Sequence, residues 1–140
     1  MLKLIPLIVA PEAPEALPPT KIVDTYNCEI GTAVGDIVHL SATEGNKVLV
    51  SVSNIEFQPS IGVVIDVHVS GTICSVQTYG KCDLIFVGLP TGIRVYLSDV
   101  GFLTTTPTPK GYVQLFGMSY DVERLFIHPM HWRVKRTPFL

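Results

Sequence analysis

Charge is what this chain lacks most. Only 16% of its 140 residues are Asp, Glu, Lys or Arg, while 47% are hydrophobic, against a charged share of about 25% in ordinary soluble domains. The formal net charge of −2 removes the overall basic field with which nucleic-acid and anionic-membrane binders gather phosphates. Neither a nucleic acid nor a membrane is therefore expected as partner. So few charges cannot cover an isolated subunit, and the apolar patches left bare mark protein contacts. Protein partners, further copies of this chain among them, are expected.

Long hydrophobic runs are also missing: no stretch approaches the roughly 20 apolar residues that span a bilayer. The opening Met1-Leu-Lys-Leu-Ile-Pro-Leu-Ile-Val-Ala has the single Lys, short apolar run and small Ala10 of a weak signal peptide. Pro6 interrupts that run, however, and Pro11-Glu-Ala-Pro-Glu follows at once, so the segment is read as retained. Cysteine is sparse: Cys28, Cys74 and Cys82 are an odd set without CxxC spacing, expected as small buried thiols.

Catalytic signatures are absent. There is no GxSxG, P-loop, GxGxxG or HExxH, and the acidic residues are spread without an obvious pair. A non-enzymatic protein without a cofactor is expected. The one short histidine pair, His128-Pro-Met-His131, would face a single metal on a helix, which Pro129 disfavours, so no metal site is assigned. His39 and His68 fall in strand-like runs, where a polar-face or hydrogen-bonded core position is the default. Trp132, Tyr112 and Tyr120 could stack on a sugar, although core packing or interface anchoring is the commoner use of such rings.

What is present is β-type patterning in a length that suits one domain. From Lys21 onward, short runs rich in Val, Ile, Thr, Tyr and Phe are punctuated by glycine, with no helix-period stretch. Alternation is clearest over residues 62–70, with Val63, Ile65, Val67 and Val69 expected on a core face and Val64, Asp66, His68 and Ser70 on a mostly wet one. Ser70-Gly71 predicts a tight hairpin to the run beginning at Thr72. Further strands are predicted over 24–29, 36–41, 47–53, 82–86, 93–97, 111–117 and 124–128. Glu44-Gly45-Asn46 and Leu89-Pro-Thr-Gly92 suit turns, and the prolines of 104–111 exclude that loop from a central strand. Many short strands imply an all-β fold, a compact antiparallel β-barrel or jelly-roll-like sandwich.

The termini differ from this body. Four prolines in residues 11–19 make that stretch an extended, polyproline-like spacer, and ahead of it lies an apolar strip, Leu4, Ile5, Leu7, Ile8 and Val9 among its members. Residues 1–20 are read as an extended N-terminal arm, 21–129 as the β-barrel domain and 130–140 as a C-terminal attachment tail. In that tail Arg133, Lys135 and Arg136 stand beside Trp132 and Phe139, a basic and aromatic mixture enriched at interface hot spots.

Over about residues 31–129 the chain resembles a recurrent β module of tailed-phage structural proteins, found in capsid decoration (cement) proteins and in head or tail fibres. The resemblance rests on Val34-Gly-Asp-Ile-Val-His-Leu-Ser, Gly45-Asn-Lys-Val, Pro59-Ser-Ile-Gly-Val-Val and Thr72-Ile-Cys-Ser-Val-Gln, in that order. It continues through Gly88-Leu-Pro-Thr-Gly-Ile-Arg-Val-Tyr-Leu-Ser, Gly101-Phe-Leu-Thr-Thr-Thr-Pro, Gly111-Tyr-Val-Gln-Leu-Phe-Gly and Arg124-Leu-Phe-Ile-His-Pro. The arm and the tail lie outside the pattern.

The resemblance implies a compact subunit, a homotrimer, that attaches to the major capsid protein on the exterior of the virion. With no heptads and no room for a stalk, decoration is the leading expectation; a fibre module binding a host glycan or receptor is the alternative. The capsid and inter-subunit contacts are expected at Leu4, Ile5, Leu7, Ile8 and Val9 of the arm and at Trp132, Arg133, Lys135 and Arg136 of the tail.

Overall fold

The computed structural model describes residues 20–51, 59–97, 103–107, 111–130 and 134–136. Among them the chain is all-β: β1 (Lys21–Asn27), β2 (Ile37–Leu40), β3 (Val48–Val50), β4 (Ser60–Val67), β5 (Ile73–Lys81), β6 (Arg94–Leu97), β7 (Leu103–Thr104), β8 (Gly111–Asp121), β9 (Arg124–Ile127) and β10 (Val134–Arg136). They form one curled sheet ordered β3-β2-β4-β5-β9-β8-β6-β7, with β1 added to β5 and β10 to β8. Every strand pair is antiparallel, so the expected all-β, barrel-like architecture is the observed one.

Strand β5 is the hub. One edge carries β1 along almost its whole length, whereas the other pairs with β4 over Cys74 to Gln77 and then with β9 at Gly80 and Lys81. The two halves of the sheet diverge from this shared strand. At the far end of β1 a parallel bridge, Asn27 to Lys47, and a 2.8 Å bond from the Asn27 amide to the Asn46 carbonyl draw the β2–β3 hairpin against β1. The curl of strands β1, β5, β4, β2 and β3 follows from that closure.

Two cores result, one on each side of β4. The larger gathers Ile37, Val63, Leu89, Val95, Leu97, Phe116, Leu125 and Ile127; the smaller gathers Cys28, Val38, Val48, Val64, Cys74 and Val76. This corrects the expectation of one dry and one wet face on residues 62–70: Val63 and Val64 are both fully buried. The pairing with β5 slips between Val64 and Asp66, and one extra residue inverts the parity of the strand. Ile65 keeps to the core of Val63 by ordinary alternation, while Val67, beyond the slip, joins that of Val64, and Val69 stands wholly exposed in the turn.

Other boundaries moved for similar reasons. The β4–β5 connection is not a two-residue turn: it spans residues 68–72, closed by His68 N–H to Ile73 O at 2.9 Å and Gly71 N–H to His68 O at 2.8 Å. The strand predicted over 82–86 is a loop. Its Cys82, Leu84 and Phe86 do alternate into the larger core, but its backbone makes only separate bonds, Cys82 N–H to Leu125 O and Phe86 N–H to Glu123 O, and no continuous ladder. Strand β8 runs on to Asp121 because Met118, Ser119 and Asp121 pair with β9, Met118 also pairing with Arg94 of β6.

Candidate interaction surface

Strands β8 and β9 are apolar on both sides. Leu125, Ile127 and Phe116 enter the core, while Phe126, alternating with its neighbours, faces outward. Outside, Leu115, Met118, Tyr120, Phe126, His128 and Met130, with the exposed Arg94, line a hollow of about 440 Å³. The floor is backbone at Gly117, where a Cβ would overlap the Phe126 carbonyl; only glycine permits the two strands to approach so closely there. One wall is an aromatic cluster: the Tyr79 ring meets both Phe126 and His128 edge to face, with centroids 5.3 Å apart in each case. Such contacts hold rings in place.

Beyond that wall lies a second hollow of about 350 Å³, lined in part by Ile22, Tyr26, Leu40, Ile61, Tyr79 and His128. His128 lines both hollows, which together make one largely apolar trough across the outer surface, with Asp24, Ser60 and Thr78 as the polar part of the second hollow. Its polar rim is basic on the β8 side: Arg94 is exposed, and the Lys81 ammonium sits 5.1 Å from the Tyr120 ring centroid, a cation–π distance.

The trough is held by a buried polar clasp. Gln114, 1% exposed, accepts the Ser60 N–H at 2.8 Å and donates to the Ser60 carbonyl at 2.8 Å and the Met130 carbonyl at 2.6 Å. It therefore ties the start of β4 and the strap after β9 to β8. Ser60 continues the network to Ser51, whose hydroxyl meets His39 Nδ1 at 3.3 Å. Buried hydroxyls and amides satisfied by one another rigidify a fold.

Apolar side chains also stand bare at both ends of the domain. Ile30, beside Gly71, and Val69 are exposed where β5 begins; Ile85, Val87 and Val122 are exposed where it ends. The latter loops are not loose, since Glu123 accepts Phe86 N–H through its carbonyl and Gly88 N–H through its carboxylate, and donates its own amide to Leu89 O. The nine residues of β5 separate the two apolar ends by roughly 30 Å.

All three cysteines are buried and free. Burial, and then the neighbouring Cys28 thiol, push the Cys74 thiol up to about 12, and burial raises Cys82 as well. Both stay protonated and poorly nucleophilic at neutral pH. Among the described residues no group of three or more His, Cys, Asp or Glu side chains is placed to hold a metal ion.

Of the contact residues expected from sequence, Leu4, Ile5, Leu7, Ile8, Val9, Trp132 and Arg133 lie outside the described residues. Lys135 and Arg136 belong to β10, where they pair with Tyr112 and Gly111 of β8. The trough itself was not anticipated. Its signal was nevertheless present in Leu115-Phe116 and Leu125-Phe126-Ile127, where consecutive apolar residues put hydrophobic side chains on both faces of a strand. No protein-family model, curated protein or solved structure matches this chain.

Proposed function

We propose that this chain is a non-enzymatic structural protein of a tailed-phage virion, which binds the capsid exterior as a homotrimer and cements the lattice of the major capsid protein. The observation that carries the reading is a compact antiparallel β domain whose opposite ends both present bare apolar side chains, Val69 and Ile30 at one and Val87 and Val122 at the other. Burying each such side chain against a partner yields roughly 1.5–3 kcal/mol. The loops that carry Val87 and Val122 are already tied by backbone hydrogen bonds, so docking orders little that was free. A small subunit gripping neighbours at both ends couples them, and that is what reinforcement of a shell requires.

The sequence resemblance supports the virion setting, and the charge-poor composition supports a protein partner. Quantitative mass spectrometry of purified particles tests the reading. A copy number of the same order as the major capsid protein is expected. A number lower by tenfold or more would move the chain to a fibre, and absence from particles would refute a virion role.

A further inference from the structure

We infer that the apolar trough on the outer face of β8 and β9 is the acceptor site for the N-terminal strip, Leu4 to Val9, of a second copy of this chain. The inference rests on the self-associating part of the function proposed above, and not on the capsid. It begins where the described chain begins. Thr20 abuts β5 so closely that a Cβ on Gly80, which has φ +98°, would overlap the Thr20 carbonyl. Lys21 pairs with Gly80 and Ile22 with Tyr79, so the described chain begins at one side of the trough.

The length of those residues selects the occupant. Residues 10–19 hold four prolines, and a polyproline-like spacer advances about 3.1 Å per residue, or roughly 30 Å over ten. The β8–β9 hollow starts at Phe126, whose ring meets Tyr79 at 5.3 Å, and crosses to Arg94 over only three strands, roughly 10 Å at the usual strand spacing. A spacer extended over that length would carry the strip past its own hollow and onto a neighbour.

Chemistry agrees with geometry. The strip offers two apolar groups, Leu4-Ile5 and Leu7-Ile8-Val9, divided by Pro6, and the trough offers two apolar hollows divided by the Tyr79–His128 wall. Glu12 and Glu15 follow the strip in sequence, while Arg94 lines the β8–β9 hollow and Lys81 lies over its Tyr120 ring, the acidic Asp24 lining the other hollow. Passed from each subunit to the next, such an arm closes a ring, the symmetric outcome of a head-to-tail contact.

The test uses the full chain in two isotopic forms, light and heavy, mixed after unfolding and refolded together, with benzoylphenylalanine in place of Leu7. On irradiation the expected product is a light–heavy cross-link between the arm and the peptide that holds Met118 and Met130. Met118 is 47% exposed, so Met118→Glu should fold normally by circular dichroism while a buried carboxylate in the contact weakens association roughly tenfold or more.

Cross-links confined to one isotopic form would place the strip on its own subunit and overturn the proposal. Cross-links to other peptides, or an oligomer unchanged in Met118→Glu, would overturn it too. Failure of the virion reading would appear separately, as absence from particles, whatever the cross-links show.

Discussion

Replacing Gln114 with leucine keeps the approximate volume of the side chain and deletes its three hydrogen bonds. The Ser60 amide, left buried without its acceptor, costs about 1–3 kcal/mol, and the Ser60 and Met130 carbonyls, each with a second lone pair to redirect, add about 1 kcal/mol apiece. The expected loss is therefore about 3–5 kcal/mol, a large part of the 5–15 kcal/mol by which domains are usually stable. With a urea slope of about 2 kcal/mol per molar, the unfolding midpoint should fall by roughly 2 M. The amides of Ser60, Ile61, His128 and Met130, in the two segments that the clasp joins to β8, should lose hydrogen-exchange protection together. A loss under about 1 kcal/mol, the scale of an ordinary surface substitution, would refute the idea that Gln114 is a strut.

Gly80→Val should cost at least about 2 kcal/mol, since a β-branched residue is strained at φ +98° and its Cβ has no room beside Thr20; faster exchange of the Ile22 amide, against an unchanged Leu125, is the specific readout. Phe116→Ala, which empties a fully buried position of the larger core, should cost about 3–5 kcal/mol, measured by the shift in urea midpoint. Stability should also fall in alkali. The Cys74 thiol titrates near 12 in the native state and near 8.5 when unfolded, so between those values only the native state holds the proton. Its contribution is full below about pH 8.5 and is lost by up to about 1.4 kcal/mol per pH unit as pH rises towards 12. Urea melts at pH 7 and pH 10 should show that slope, and Cys74→Val should flatten it.

Which parts of this protein were legible in advance follows from the range of the forces involved. Strand propensity and turn chemistry act over a few residues, so alternating Val and Ile, the Gly45-Asn46 tip and the prolines of 104–111 were enough for the all-β class and for most strand positions. Burial of Cys74 between Ile73 and Val76 was readable for the same reason. Parity was not readable. Whether Val67 joins the core of Val63 or that of Val64 depends on a one-residue slip against β5, and that slip is a property of two strands at once.

The run at 82–86 shows the same division: its side chains alternate into the core as a strand's would, yet no neighbour runs beside it to complete a ladder. Gln114 is the clearest case. Nothing near it in sequence distinguishes it from a solvent-facing residue of β8, because its partner Ser60 lies 54 residues away and only the curl of the sheet brings them together. Composition by itself raised the expectation of protein partners, since charge too sparse to cover a surface is a property of the whole sequence. The place of the apolar trough was decided by tertiary structure alone, because it is made by β1, β5, β8 and β9 side by side and by one glycine that lets two of them close.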